Sequence, residues 1–200
     1  MDSRRAVSAA WCGLLVLLGA CGERAVDWNA PENLLWREKS TKVENGVELQ
    51  YWSLVDASAQ AVYDAIADVE HYPDFVRGVD SVQLLESGPN TKTVQITQRV
   101  IGRQNNAKVV WSFFPDKHRI EFKTLVSNVN YNDGTYDIEP SPDGKRCLVH
   151  SVFLVREGTG QAQAVPIGVL ASGTRESFLA AAEGVKKRAT GLEKAPASPK

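Results

Sequence analysis

SLVDASAQAVYDAIADVEHYPDFVRG, residues 53–78, decides how the rest of this chain is read. An apolar run ends here and gives way to Asp56, Ala57 and Ser58, residues suited to a helix start. Val62, Ile66 and Val69 follow at spacings of four and three, on one face of a short helix. Pro73 ends that helix, because the residue before a proline is steered out of α geometry. Tyr72 and Phe75 flank Pro73 in a second helical turn, with the proline at its first position.

Strands lie on both sides of this helical pair. Val47–Val55 reads as a strand with Val47, Leu49, Tyr51, Ser53 and Val55 on one face. Before it, residues 22–46 read as a tether containing Pro31, a polar run from Arg37 to Gly46, and Trp28 and Trp36 placed to dock on the domain. After the helices come strands at 79–85, 91–101, 107–114, 118–125, 129–138 and 146–155. The clearest two-residue period is Val94, Ile96, Gln98 and Val100 against Thr93, Gln95, Thr97 and Arg99. Apolar parity shifts between Tyr131 and Tyr136, which asks for a bulge near Asp133-Gly134 or a hairpin turn there. Residues 158–163 read as a loop, and Val165 to about Ala189 as one helix on the order of 37 Å long. Its three glycines, Gly168, Gly173 and Gly184, weaken it, so packing must hold it. Residues 190–200 read as a disordered tail.

The first 21 residues have the pattern of a signal peptide: Arg4 and Arg5, then a short apolar run from Trp11 to Leu18. That run is well short of the ~20 residues a spanning helix needs. Leu18-Gly19-Ala20-Cys21 resembles a bacterial lipobox, which makes Cys21 the expected lipidation site; ordinary cleavage near Ala20 is the alternative. Gly22 after that cysteine points to the periplasmic face of the outer membrane in a cell envelope. Removal of residues 1–21 takes away two bases and one acid and moves the net charge from −1 to −2, with no basic clustering of the kind nucleic acid requires. Cys147, beside Leu148 and Val149, reads as an inert packed thiol.

No nucleophile–base motif, zinc motif or phosphate loop is present in the sequence. Gly158-Thr159-Gly160 lacks the third glycine of a dinucleotide loop. His71, His118 and His150 fall in separate elements without ligand spacing, and Asp64, Asp68, Glu70 and Asp74 read as a solvated acidic face. No catalytic residue, metal ligand or cofactor is therefore nominated.

A strand, two short helices, six strands and a long C-terminal helix require an α+β fold, because no alternating βα units exist to build a parallel sheet. This order resembles the helix-grip fold of START-like (SRPBCC) proteins, and VDASAQAVYDAIADVEHYPDFV at 55–76 is similar to the opening of their coenzyme Q-binding and polyketide cyclase branch. GTYDIEP at 134–140 resembles a later strand of that branch, with Tyr136 and Ile138 in place of its tryptophan and phenylalanine. The resemblance covers residues 47–189. It implies an antiparallel sheet of about seven strands around the C-terminal helix, with a cavity between them that takes a lipid, quinone or similar apolar molecule. Inward parity in such a fold nominates Gln98, Trp111, Phe113, Ile120, Phe122, Tyr136, Val149, Phe153, Leu170 and Phe178 as ligand-binding residues. Ser151, Thr124, Thr174, Ala171 and Gly173 are small enough to leave room. Gln98, polar on an inward face, needs a partner: a ligand oxygen, a water or a neighbouring side chain.

The sequence thus favours binding over catalysis, by a lipid-anchored envelope protein with a hydrophobic small molecule as its partner. The alternatives are a cyclase or dehydratase on a polyketide-like substrate, which needs an acid/base pair at the pocket, and a protein-interaction module with a filled interior.

Overall fold

Alternation of apolar and polar residues over most of the chain produces eight strands in a single antiparallel sheet in this computed structural model, which describes residues 26–157 and 165–191. The strands are β1 (Asn33–Val43), β2 (Gly46–Val55), β3 (Val79–Ser87), β4 (Thr91–Val100), β5 (Arg103–Phe114), β6 (Arg119–Ser127), β7 (Asn130–Pro140) and β8 (Cys147–Glu157). Their order across the sheet is β1-β2-β8-β7-β6-β5-β4-β3, so β2 closes against β8 although 91 residues separate their near ends. The inner face curls around α3 (Ile167–Ala189), which also rests on α1 (Ala59–Ala67) and α2 (Tyr72–Phe75). The helix-grip fold expected from the sequence is present. The expected signal peptide with Cys21, the loop at 158–163 and the expected tail at 190–200, apart from Thr190 and Gly191, lie outside the described residues.

The strand beyond the expected seven is β1, formed by part of the stretch read as a tether. It pairs with β2 as an edge strand, and its charges face solvent, where they also discourage pairing with another chain. The chain before it is held down as well: Arg146 Nη1 donates to the carbonyl oxygens of Trp28 and Ala30, the latter at 2.7 Å. Glu32 accepts from the Asp56 amide at 3.0 Å and pairs with Lys186 of α3.

The two short helices lie between β2 and β3. Ser58 Oγ accepts from the Ala61 amide at 3.2 Å and caps α1, and Val62, Ile66 and Val69 are all buried. Pro73 does not end α1, as its position suggested: α1 stops at Ala67, a 3₁₀ turn covers Val69–His71, and the proline is the second residue of α2, after Tyr72. Tyr72 then donates its hydroxyl to the Ile66 carbonyl at 2.6 Å and pins α2 to α1. Helix α3 crosses this unit at Gly184, where an added Cβ would lie 2.0 Å from the Phe75 carbonyl oxygen. Only a glycine allows that approach.

Neither a bulge nor a turn occurs at Asp133-Gly134 on the β7–β8 ladder, whose register runs unbroken from Asn130↔Glu157 to Pro140↔Cys147. The parity shift has another cause. Gly134, Tyr136 and Ile138 share the inward face with Asn132, so the inner residues at this end of β7 are polar or absent, while Tyr131 lies on the opposite parity. Glycine is required at 134 because the Phe122 ring lies over it, with Phe122 Cζ 2.8 Å from where a Cβ would stand.

Candidate ligand-binding site

Side chains from β4 to β8 and from α3 leave a chamber of about 140 Å³ between sheet and helix. One wall is aromatic. Trp111 and Phe122 lie 5.0 Å apart, Phe122 and Tyr136 5.8 Å, Tyr136 and Phe153 5.7 Å, and Phe153 and Phe178 5.9 Å, tilted or edge-on as ring quadrupoles prefer. These residues sit together because cross-strand pairs place Trp111 beside Phe122, Phe122 beside Gly134, and Gly134 beside Phe153. Tyr72 closes the wall edge-on against Trp111 at 5.9 Å.

The other wall is polar, and it exists because β7 leaves β6. Backbone pairing between them ends at Phe122↔Gly134. Beyond that pair, the Thr124 amide donates to Asp133 Oδ1 at 2.9 Å and the Thr124 hydroxyl donates to the Asn132 carbonyl at 2.7 Å, with Asp133 held in turn by Arg156. The splay turns Asn130 and Asn132 into the chamber, opposite Gln98 and Asn105 of the β4–β5 pair. Asn105 accepts from the Ser127 hydroxyl at 2.8 Å. Trp111 Nε1, Asn130 Oδ1 and Asn132 Oδ1 are buried with no hydrogen-bond partner. Buried polar atoms are rarely left so.

Tyr72, Tyr136, Phe178 and Ala181 also form one side of a second, inner space of about 50 Å³, bounded by Val149, Ser53 and the unpartnered Ser151 hydroxyl. The exposed members of the outer lining, Arg77, Arg99 and Ser177, mark its mouth between the α2–β3 junction, the end of β4 and α3. Arg99 stands 3.7 Å from Asp80 there. Burial raises the Tyr136 phenol far above its ordinary value, and burial with Tyr136 alongside does the same to Tyr72. Both stay protonated at any physiological pH.

Of the nominated residues, Gln98, Trp111, Phe122, Tyr136, Phe153 and Phe178 line the outer chamber and Val149 the inner one. Phe113, Ile120 and Leu170 do not line either, which corrects their nomination. Phe113 and Ile120 pair at the β5–β6 hairpin end, below the chamber floor, where Ile120 is fully buried packing; Leu170 fills the core at the start of α3. Of the polar wall, only Gln98 and Thr124 are legible in the sequence, and Asn105 falls in the gap between the strands expected at 91–101 and 107–114. Thr174 and Ser151 do border the two spaces as small residues.

The histidines and acidic residues singled out in the sequence lie outside this lining. His150 stacks on Trp52 at 4.5 Å, with the Arg37 guanidinium 4.5 Å above the same indole. Asp137 is bound by Arg119 at 2.6 Å. Asp68 is shared by His71 and Arg188 at 2.5 and 2.7 Å, and Glu70 pairs with Lys92 at 2.7 Å, so half of the acidic face read as solvated is ion-paired. Among the described residues no group of three or more His, Cys, Asp or Glu is arranged to hold a metal ion.

An antiparallel sheet gripping a C-terminal helix, with an interior chamber between them, is the helix-grip fold of START-like proteins. The family model for polyketide cyclase/dehydrase and lipid transport proteins matches residues 55–183, and the chain belongs to that family. Among solved structures, the Zhui aromatase/cyclase of Streptomyces sp. R1128 is similar over 74% of this chain and 96% of its own, with a TM-score of 0.67 and 18% identity. A START superfamily protein of Mycobacterium smegmatis covers 72% and 98% at a TM-score of 0.62 and 15% identity. A STAR-related lipid transfer protein of Xanthomonas axonopodis covers 76% and 91% at 0.57 and 11%. At these identities the likeness is one of fold. A search of curated protein sequences finds no match.

Proposed function

We propose that this protein binds a hydrophobic small molecule in the chamber between sheet and α3 and holds or carries it without altering it. The observation that carries this reading is the unfilled outer chamber, walled by Trp111, Phe122, Tyr136, Phe153 and Phe178 and reached through a mouth at Arg77, Arg99 and Ser177. Its volume of about 140 Å³ approaches the ~150 Å³ of an engineered apolar cavity that takes up benzene. Family membership supports the same reading, since lipid transport is one of the family's two described activities. The other, cyclisation or dehydration, needs an acid/base pair at the substrate. Among the described lining residues there is no Asp, Glu or His, and the two phenols are held protonated. The lipobox reading at Leu18–Cys21 adds an anchor through Cys21, which would station the carrier at a cell envelope and make a lipid or quinone its natural cargo.

Native mass spectrometry of the chain from Gly22 onward, followed by solvent extraction, tests the binding. A co-purifying apolar species near one-to-one is expected. Consistent absence, with no uptake from a panel of lipids and quinones, would overturn it. Incorporation of labelled palmitate into the full chain, lost in Cys21→Ala, tests the anchor separately.

A further inference from the structure

We infer that the splayed β6–β7 wall, with Asn130 and Asn132, forms together with Trp111 a hydrogen-bonding subsite that selects a neutral ligand with a hydroxyl at its buried end. This rests on the binding reading above and narrows it.

Three features carry the inference. The first is the set of unpartnered atoms: Trp111 and Asn130 are each 6% exposed, and Trp111 Nε1, Asn130 Oδ1 and Asn132 Oδ1 lack any partner while their residues line the chamber. An indole N–H can only donate, so it calls for an acceptor; a side-chain amide offers both a donor and an acceptor end. A ligand hydroxyl can accept from the indole and donate to one of the two asparagine oxygens, whereas a carbonyl can accept from the indole but leaves both asparagine oxygens unmet.

The second is that the geometry is built rather than incidental. Leaving the β6–β7 ladder at Gly134 gives up backbone hydrogen bonds, and the substitutes are side-chain bonds from Asp133 and Thr124 that keep the Asn132 segment in place. Asn130 is fixed as well, by its amide to Ser127 Oγ at 3.3 Å, and that same hydroxyl donates to Asn105. The asparagines are therefore held by backbone, leaving their side chains for something else.

The third is charge. The lining has no Lys or His, and its arginines, Arg77 and Arg99, stand at the exposed mouth rather than at the polar wall. A carboxylate or phosphate driven against Asn130 and Asn132 would be buried without a counter-charge, which is far costlier than burying a hydroxyl. An anionic end, where a ligand has one, belongs at the mouth.

A matched set of probes on one ring skeleton tests this: naphthalene, 2-naphthol and 2-naphthoate, with dissociation constants from calorimetry or ligand-observed NMR at pH 7. Wild type is expected to prefer 2-naphthol over naphthalene by roughly tenfold or more, the usual worth of one or two buried hydrogen bonds, and to bind 2-naphthoate more weakly than 2-naphthol. In Asn130→Leu/Asn132→Leu and in Trp111→Phe, naphthalene binding persists while the preference falls toward unity. A purely structural role for these residues would weaken both ligands together and leave the ratio unchanged. Equal binding of naphthalene and 2-naphthol by wild type overturns this inference and leaves the binding reading standing. No binding by any of the three overturns both.

Discussion

Gly184→Ala isolates the contact on which the grip of α3 depends. An alanine Cβ at this position would lie 2.0 Å from the Phe75 carbonyl oxygen, 2.9 Å from its carbon and 3.4 Å from Val76 Cα. An ordinary contact is ~3.5 Å, so the two backbones must part by roughly 1.5 Å. A side chain cannot swing away to make room, because every atom met is backbone. Alanine brings up to ~1 kcal/mol in helix propensity, while overpacking of this kind costs about 1–3 kcal/mol and sits here near the top of that range. The net expectation is a loss of about 2 kcal/mol, or about 4–8 °C in melting temperature for a domain of this size. Urea unfolding followed by tryptophan fluorescence measures it, with Gly168→Ala as the counterpart. Gly168 is exposed and an added Cβ there meets nothing within 4 Å, so that variant should gain up to ~1 kcal/mol. If Gly184→Ala unfolds at or above the wild-type urea midpoint with an unchanged slope, the close packing of α3 on α2 is wrong. Because Val76 also lines the chamber, the same variant should lower ligand uptake.

Other outcomes follow from single residues. Cys147 is fully buried, and desolvation pushes its thiol up to about 12, so it should resist a thiol reagent at pH 8 in the native protein and react at once in guanidinium; rapid native labelling would contradict the packing of β8. His71 is raised above its ordinary value, first by its hydrogen bond to Asp68 and then by that carboxylate's charge. A raised pKa stabilises the fold fully below the unfolded value of ~6.5 and ceases to do so as pH climbs through the folded value. The side chain is 60% exposed, so the effect stays within about 1 kcal/mol. Wild type should therefore be more stable than His71→Gln at pH 5.5 and equal to it at pH 9, and a gap independent of pH would refute the pairing. Gly134→Ala places a Cβ 2.3 Å from the Val152 carbonyl oxygen and against the Phe122 ring. It should cost about 1–3 kcal/mol in urea unfolding and push that ring into the chamber, with weaker binding of any ligand found there.

Much of this architecture is visible in the chain because periodicity reports which face a side chain occupies. The helical pair at 59–75 announces itself through Val62, Ile66 and Val69, and the aromatic wall through alternation on β5, β6 and β8. Periodicity says nothing of depth along the sheet. Ile120 and Phe122 share a face, yet one is sealed under the floor and the other lines the chamber. Two further signals were masked. Strand β1 carries Arg37, Glu38, Lys39 and Lys42 because it is an edge, so its sequence imitates a linker. The polar wall imitates loops for the opposite reason: Asn105, Asn130 and Asn132 are turn-forming residue types placed inside a sheet. Sequence rules locate strands by assuming a dry interior, so they fail where the interior is built to be wet or occupied.

That failure bears on what the interior is for. A space meant only to store oil would gain stability from leucine or valine at 130 and 132 and from phenylalanine at 111, since each unpaired buried polar group costs about 1–3 kcal/mol. A domain whose whole stability is on the order of 5–15 kcal/mol does not hold three such atoms at no consequence. A bound molecule that satisfies them returns this stability by mass action, about 2.7 kcal/mol at a hundredfold excess over its dissociation constant. The loaded form would then be the better ordered of the two. Release is easiest at the mouth, where Arg77, Arg99 and Ser177 are already exposed and no strand pairing has to be broken. On the proposed reading the polar wall would fix one end of a ligand deep in the grip and the opening between α2 and α3 would pass it, which would put discrimination and exchange on opposite sides of the same chamber.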